Sequence, residues 1–167
     1  MKRLKTADRV TKQQKVGIAE YAVVTDETQL STSGLGSCLG IVFHDPQNGV
    51  SGLIHVMLPS AEDARDTNPL KFVDTGVPLL LKEMEAAGAS RSAIQAWVVG
   101  GSEMLSFSAG DESIGSRNIA VAKRLLAQYQ FEIIGTDVGG NHGRSMTFDP
   151  ESPNVVIRTA AETVVTL

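Results

Sequence analysis

The chain has 167 residues, 42% of them hydrophobic and 20% charged, with a formal net charge of −4 and a sequence pI near 5.3. That length suits one domain able to bury its own core, and no apolar run approaches the roughly 20 residues needed to span a bilayer. The acidic balance argues against nucleic acid as a partner, and a single cysteine, Cys38, excludes an internal disulfide.

The first stretch, Met1 to Lys15, is basic and has no apolar segment of the secretory kind. It reads as a solvated, disordered tail on a cytoplasmic protein whose single domain runs from Val16 to Leu167. From Val16, "VGIAEYAVV" is rich in β-branched residues and reads as a strand, and the polar text from Thr25 to Ser33 reads as a loop. "SCLGIVFH", Ser37 to His44, and "VSGLIHVML", Val50 to Leu58, are two strands joined by the turn text "DPQNG", a hairpin.

Beyond Pro59 and a polar connection, Val73, Val77, Leu80, Leu81 and Met84 recur at helical spacing. Gly88 ends this helix, with Asp74 or Thr75 as the cap and Pro78 in the first turn. "AIQAWVVGG", Ala93 to Gly101, is a strand stopped by two glycines. A second helix over Ser116 to Tyr129 turns Ile119, Ala122, Leu125 and Leu126 inward, and "FEIIGTDV", "RSMTF" and "NVVIRTA" follow as strands. About seven strands and two helices, joined mostly by hairpin-length connections, read as an α+β fold in which helices cover a largely antiparallel sheet system.

With Asp45 to Asn48 as a four-residue hairpin loop, Cys38 lies directly across the ladder from His55, their Cβ atoms about 4.5–5.5 Å apart. An imidazole beside a thiol favours the thiolate, lowering the thiol pKa, and can return the proton to a leaving group. Gly34 and Gly36 allow the amides near Ser37 and Cys38 to converge on an oxyanion. Hydroxyls of Ser31, Thr32 and Ser33 stand where a third group could orient the imidazole. The competing reading makes Cys38 a small core residue and His55 a satisfied buried histidine; the agreement of three features at one site favours the chemical one. His44 and His142 read as exposed turn residues. No cluster has metal-ligand spacing, so neither metal nor cofactor is expected. "GGNHGR" reads as a tight turn ahead of an anion site built on Arg144. Arg117 and Asn118 read as capping or salt-bridge residues without a catalytic role, and Asp137 as a partner contact at most.

The segments "AEYAV", "STSGLGSCLGIVFHDP", "GLIHVMLP", "FVDTGVPLLLKEM", "IGSRN" and "GGNHGR" occur in an order and spacing that resemble the CheD family, the receptor glutamine deamidases of bacterial and archaeal chemotaxis. The likeness runs from Val16 to Thr159; the basic extension is longer than a typical start, and Ser33 stands where an apolar residue is common. The resemblance implies a cysteine hydrolase with Cys38 as nucleophile, His55 as general base and acid, and Thr32 as the third catalytic residue. It implies stacked β layers with flanking helices, similar to the catalytic domain of the cytotoxic necrotizing factor toxins. The implied partners are the cytoplasmic helical region of methyl-accepting chemotaxis receptors and a CheC-type phosphatase, without direct membrane insertion. The alternative within the same resemblance is a regulatory binding module for which the CheC-type pairing is primary and catalysis secondary.

Overall fold

The computed structural model describes residues 12–63, 67–104, 113–161 and 163–167. In chain order the elements are β1 (Gln13–Lys15), β2 (Tyr21–Val24), β3 (Gln29–Leu35), β4 (Leu39–Asp45), β5 (Val50–Val56), α1 (Val73–Ala86), β6 (Gln95–Gly100), α2 (Ile114–Tyr129), β7 (Glu132–Val138), β8 (Arg144–Asp149), β9 (Asn154–Thr159) and β10 (Val164–Thr166). They form two five-stranded sheets, ordered β1-β3-β8-β9-β10 and β2-β5-β4-β6-β7. Both are mixed: β1 runs parallel to β3 and β6 parallel to β7, while the other pairings are antiparallel. The fold is α+β, and no helix among the described residues is long and apolar enough to cross a membrane.

Three layers follow from which side chains share a core. Leu30, Leu35, Met146 and Phe148 of the first sheet meet Val42, Leu53, Trp97 and Val99 of the second, so the sheets are stacked. The opposite face of the second sheet, with Leu39, Ile41, Phe43, Ile54 and Val98, packs on Val77, Leu80 and Met84 of α1 and on Ala122 and Leu126 of α2. The second sheet is therefore covered on both sides, and every residue of β4 and β5 is buried. Double coverage explains why these two strands read as near-continuous apolar text without the usual polar alternation.

Several expectations are corrected by tertiary context. Gln13–Lys15, expected as the end of a disordered tail, pair with β3, and Lys12 O accepts from Gln29 N (2.8 Å); residues 1–11 of that stretch lie outside the described residues. The polar text expected as a loop forms β3, which buries Leu30, Thr32 and Leu35 and pairs with β8 on its other side. Short β10 was not expected at all. Helix α1 begins without a side-chain cap and carries Pro78 beyond its first turn. Asp74 instead accepts from Ser60 Oγ (2.8 Å) and Ala61 N (3.1 Å), tying the connection to the helix start. Helix α2 starts at Ile114, two residues before its expected start, with Ser113 Oγ accepting from Ser116 N (3.1 Å).

The β4–β5 hairpin closes at Asp45 and Val50, one residue further along the chain than expected on each side. Asp45 fixes this register: its carboxylate accepts from Gln47 N (2.8 Å), Asn48 N (3.1 Å), Asn48 Nδ2 (2.7 Å) and Ser90 N (2.7 Å). His44 is correspondingly buried and not exposed, with Nδ1 2.8 Å from Ser51 Oγ and its ring against Phe148.

Candidate active site

His55 lies on β5, completely buried, and faces the layer between the sheets. Its Nδ1 is 2.7 Å from Thr32 Oγ1, and the same hydroxyl is 2.7 Å from the carbonyl oxygen of Val16. A carbonyl only accepts, so the single hydroxyl proton goes to Val16, and Thr32 Oγ1 must accept from His55. The neutral ring therefore carries its proton on Nδ1. Its other nitrogen, Nε2, holds the lone pair and has no hydrogen-bond partner among the described residues. Of the three hydroxyls considered in the loop text, Thr32 meets the imidazole, because alternation along β3 buries Thr32 and leaves Ser33 exposed.

Cys38 stands in the short connection between β3 and β4 and packs, half-buried, against the same inter-sheet core. The residue directly opposite His55 is Gly40, not Cys38. Cys38 stands two residues before Gly40, just outside the ladder, and packs on the inter-sheet core that His55 also faces. No hydrogen bond joins thiol and imidazole. Gly40 makes room at this crossing: a Cβ there would fall 2.3 Å from Met146 Sδ and 3.2 Å from Leu35 Cδ1.

The loop around Cys38 is held by its carbonyls. Gly36 O accepts from Ser102 N (2.8 Å), Ser37 O from Asn118 Nδ2 (2.9 Å) and Cys38 O from Gly101 N (2.9 Å). The N–H of Ser37 has no hydrogen-bond partner among the described residues, and that of Cys38 turns toward its own thiol. Both donors lie at the base of the loop, beside the sulfur, where an oxyanion would develop. Gly100 permits the arrangement, since its φ is +113° and a Cβ there would sit 2.2 Å from Cys38 O.

Electrostatics overturn one expectation. Burial pushes the Cys38 thiol above its ordinary value of 9.0, an effect that its own backbone N–H only partly offsets. Burial also lowers His55 below 6.5. At neutral pH the pair rests as thiol and neutral imidazole, and no positive charge beside the sulfur favours a thiolate.

Other singled-out residues fall into place around the site. Arg144 is buried and binds Gly100 O (3.1 Å), Ser102 Oγ (3.1 Å) and Gly139 O (2.5 Å), with Asp137 Oδ1 at 3.7 Å, so it ties the end of β6 to the β7–β8 connection. His142 is exposed, as expected. Asn118, expected as a capping or salt-bridge residue at a helix start, is instead fully buried inside α2, and its Nδ2 reaches Met57 O (3.0 Å) as well as Ser37 O. The available signal was its place on the buried stripe of α2 with Gly115, Ala122 and Leu126, a polar residue at an apolar position. Beside Ser37 a cleft of about 100 Å³ opens between Met104 and the start of α2 at Ser113, Ile114 and Gly115. Among the described residues there is no group of three or more His, Cys, Asp or Glu side chains arranged to hold a metal ion.

Comparison with known proteins bears on this geometry. The family model described as CheD chemotactic sensory transduction matches residues 57–159. A relative from Haloarcula marismortui, named probable chemoreceptor glutamine deamidase CheD, is 47% identical over 153 residues, covering 92% of this chain and 88% of the relative. The chain belongs to the CheD family. A second CheD relative of the same name, from Clostridium botulinum strain Eklund 17B, is 41% identical over 158 residues, covering 92% of this chain and 96% of its own length. The CheD protein of Halalkalibacterium halodurans, named chemoreceptor glutamine deamidase, is 40% identical over 149 residues, covering 87% and 92%.

Proposed function

We propose that this CheD-family chain is a cytoplasmic cysteine-dependent amidohydrolase that converts glutamines in the cytoplasmic helical region of methyl-accepting chemoreceptors to glutamate. The observation that carries the reading is the Thr32–His55 bond, which leaves Nε2 as an unpartnered base in the layer that also holds Cys38. The names of the relatives agree with the substrate class.

Because the pair rests neutral, His55 Nε2 takes the Cys38 proton as sulfur attacks the side-chain carboxamide carbon. The carbonyl oxygen becomes an oxyanion that the N–H groups of Ser37 and Cys38 can stabilise. Collapse of this adduct breaks the C–N bond, and the proton on Nε2 leaves with ammonia, so a thioester remains on Cys38. Water then attacks the thioester carbon, His55 accepts the proton of that water, and the C–S bond breaks. The proton passes back to sulfur, which restores the neutral pair and releases glutamate. The apolar side chains of Met104 and Ile114 beside the cleft suit the aliphatic flank of a receptor helix.

The test is Cys38→Ala with a cognate receptor fragment, read by ammonia release and by the mass change on replacing NH₂ with OH. The variant should fold and release no ammonia. Retained deamidation in that variant would remove the cysteine from the chemistry. Retained deamidation of the receptor in cells, with a phenotype that follows binding of a CheC-type phosphatase, would favour the regulatory module.

A further inference from the structure

Asn118 joins two parts of the candidate site that are far apart in the chain. Its Nδ2 donates to Ser37 O (2.9 Å) across 81 residues and to Met57 O (3.0 Å) across 61. Ser37 immediately precedes Cys38, and Met57 lies two residues beyond His55. One planar amide nitrogen thus holds the carbonyls of the thiol loop and of the imidazole strand at fixed positions relative to each other. Cys38 and His55 share no direct hydrogen bond; the Leu39–Val56 step of the ladder lies between them, and the Asn118 amide ties together the residues just beyond the end of that ladder.

The position carries a cost as well as a gain. Asn118 is fully buried, and its Oδ1 has no partner among the described residues, an unfavourable state for a buried acceptor. What the side chain supplies in return is one donor shared by the carbonyls of Ser37 and Met57, which an apolar residue would leave unpaired. The first turn of α2 is also pressed close: a Cβ on Gly115 would come 2.4 Å from Ser102 O and 2.5 Å from Gly101 O. Gly101 in turn binds Cys38 O, so the start of α2 reaches the thiol loop by two routes.

We propose that Asn118 is a positioning residue, whose side-chain amide sets the separation of the Cys38 loop from the His55 strand and thereby the alignment of thiol and Nε2 for proton transfer. The inference rests on the roles given to Cys38 and His55 under the proposed function.

Asn118→Leu keeps the approximate size while removing both donor contacts and the orphaned acceptor. The assays are kcat and KM for ammonia release from a chemoreceptor cytoplasmic fragment, the thermal midpoint, and alkylation of Cys38 by iodoacetamide at pH 8. Loss of alignment should lower kcat by about tenfold or more with KM within about twofold. The midpoint should fall by about 2–12 °C, because Ser37 O and Met57 O lose their donor, with the variant still folded at the assay temperature. Alkylation should rise by about threefold or more, because a released loop exposes the thiol to water and moves its pKa back toward the ordinary value. Should the leucine variant fail to fold, Asn118→Ser, which keeps one hydroxyl donor of shorter reach, carries the same comparison. Unchanged kcat, a raised KM with kcat intact, or a kcat loss that only follows the folded fraction overturns the proposal. If the wild-type protein releases no ammonia, the proposed function fails separately, and the alkylation arm decides: an unchanged rate in a folded variant overturns the positioning role.

Discussion

Thr32 offers the sharpest test of how the imidazole is held. Its hydroxyl serves two buried bonds of 2.7 Å, one to Val16 O and one to His55 Nδ1. Thr32→Ala removes both and introduces no group to replace them. Leaving the Nδ1–H buried and unpaired costs about 1–3 kcal/mol, and the preference for the tautomer with a free Nε2 falls by as much. Converted at 1.36 kcal/mol per factor of ten, the loss in kcat is roughly 5- to 150-fold. With the unpaired Val16 carbonyl and the lost methyl included, stability should fall by about 2–4 kcal/mol. Thr32→Ser keeps the hydroxyl and should stay within about threefold of wild-type kcat. The assay is ammonia release at saturating receptor fragment, with ring ¹⁵N shifts of His55 reporting the tautomer and denaturant unfolding reporting stability. An alanine variant that is folded, within about threefold of wild-type kcat and unchanged in its ring shifts would refute the reasoning.

Iodoacetamide should react slowly with Cys38 at neutral pH, its rate rising only above the ordinary thiol range of about 8.5, because burial disfavours the thiolate; rapid alkylation at pH 7 would contradict a neutral resting pair. The acid limb of the kcat/KM profile should lie below 6.5, since burial lowers His55 and the base must be unprotonated; a limb at or above that value would contradict a base held low by burial. Burial lowers both His44 and His55 below their unfolded value of 6.5, so the unfolded chain binds protons first. Stability from these two groups is present above 6.5 and lost as pH falls below it, with a slope of at most about 1.4 kcal/mol per pH unit for each; urea unfolding from pH 8 to 5 checks this, and a flat profile would refute it. Gly40→Ala should destabilise by about 1–3 kcal/mol, since its methyl would meet Met146 Sδ and Leu35 Cδ1 inside a filled layer; an unchanged midpoint would show that this crossing has room to spare.

The sequence by itself determined the elements whose signals are local. Val73, Val77, Leu80, Leu81 and Met84 declare one face of α1 by spacing alone, and the apolar runs of β4 and β5 around turn text declare a hairpin. The sequence also placed Thr32 and His55 as candidates for contact, and alternation along β3 and β5 turns both toward the inter-sheet layer, where Oγ1 and Nδ1 lie 2.7 Å apart. Tertiary structure alone decided what depends on distant partners. The polar text of β3 becomes a strand because β1 and β8 supply its ladder and the inter-sheet core takes up Leu30, Thr32 and Leu35. The hairpin register rests on Asp45, whose bond to Ser90 comes from 45 residues away. His44 is buried by Phe148 of the opposing sheet, and the thiol pKa rises because stacked layers remove water from Cys38. Asn118 reaches Ser37 and Met57 only once α2 lies on the second sheet. Desolvation and long-range hydrogen bonds belong to the assembled layers, and no window of adjacent residues contains them.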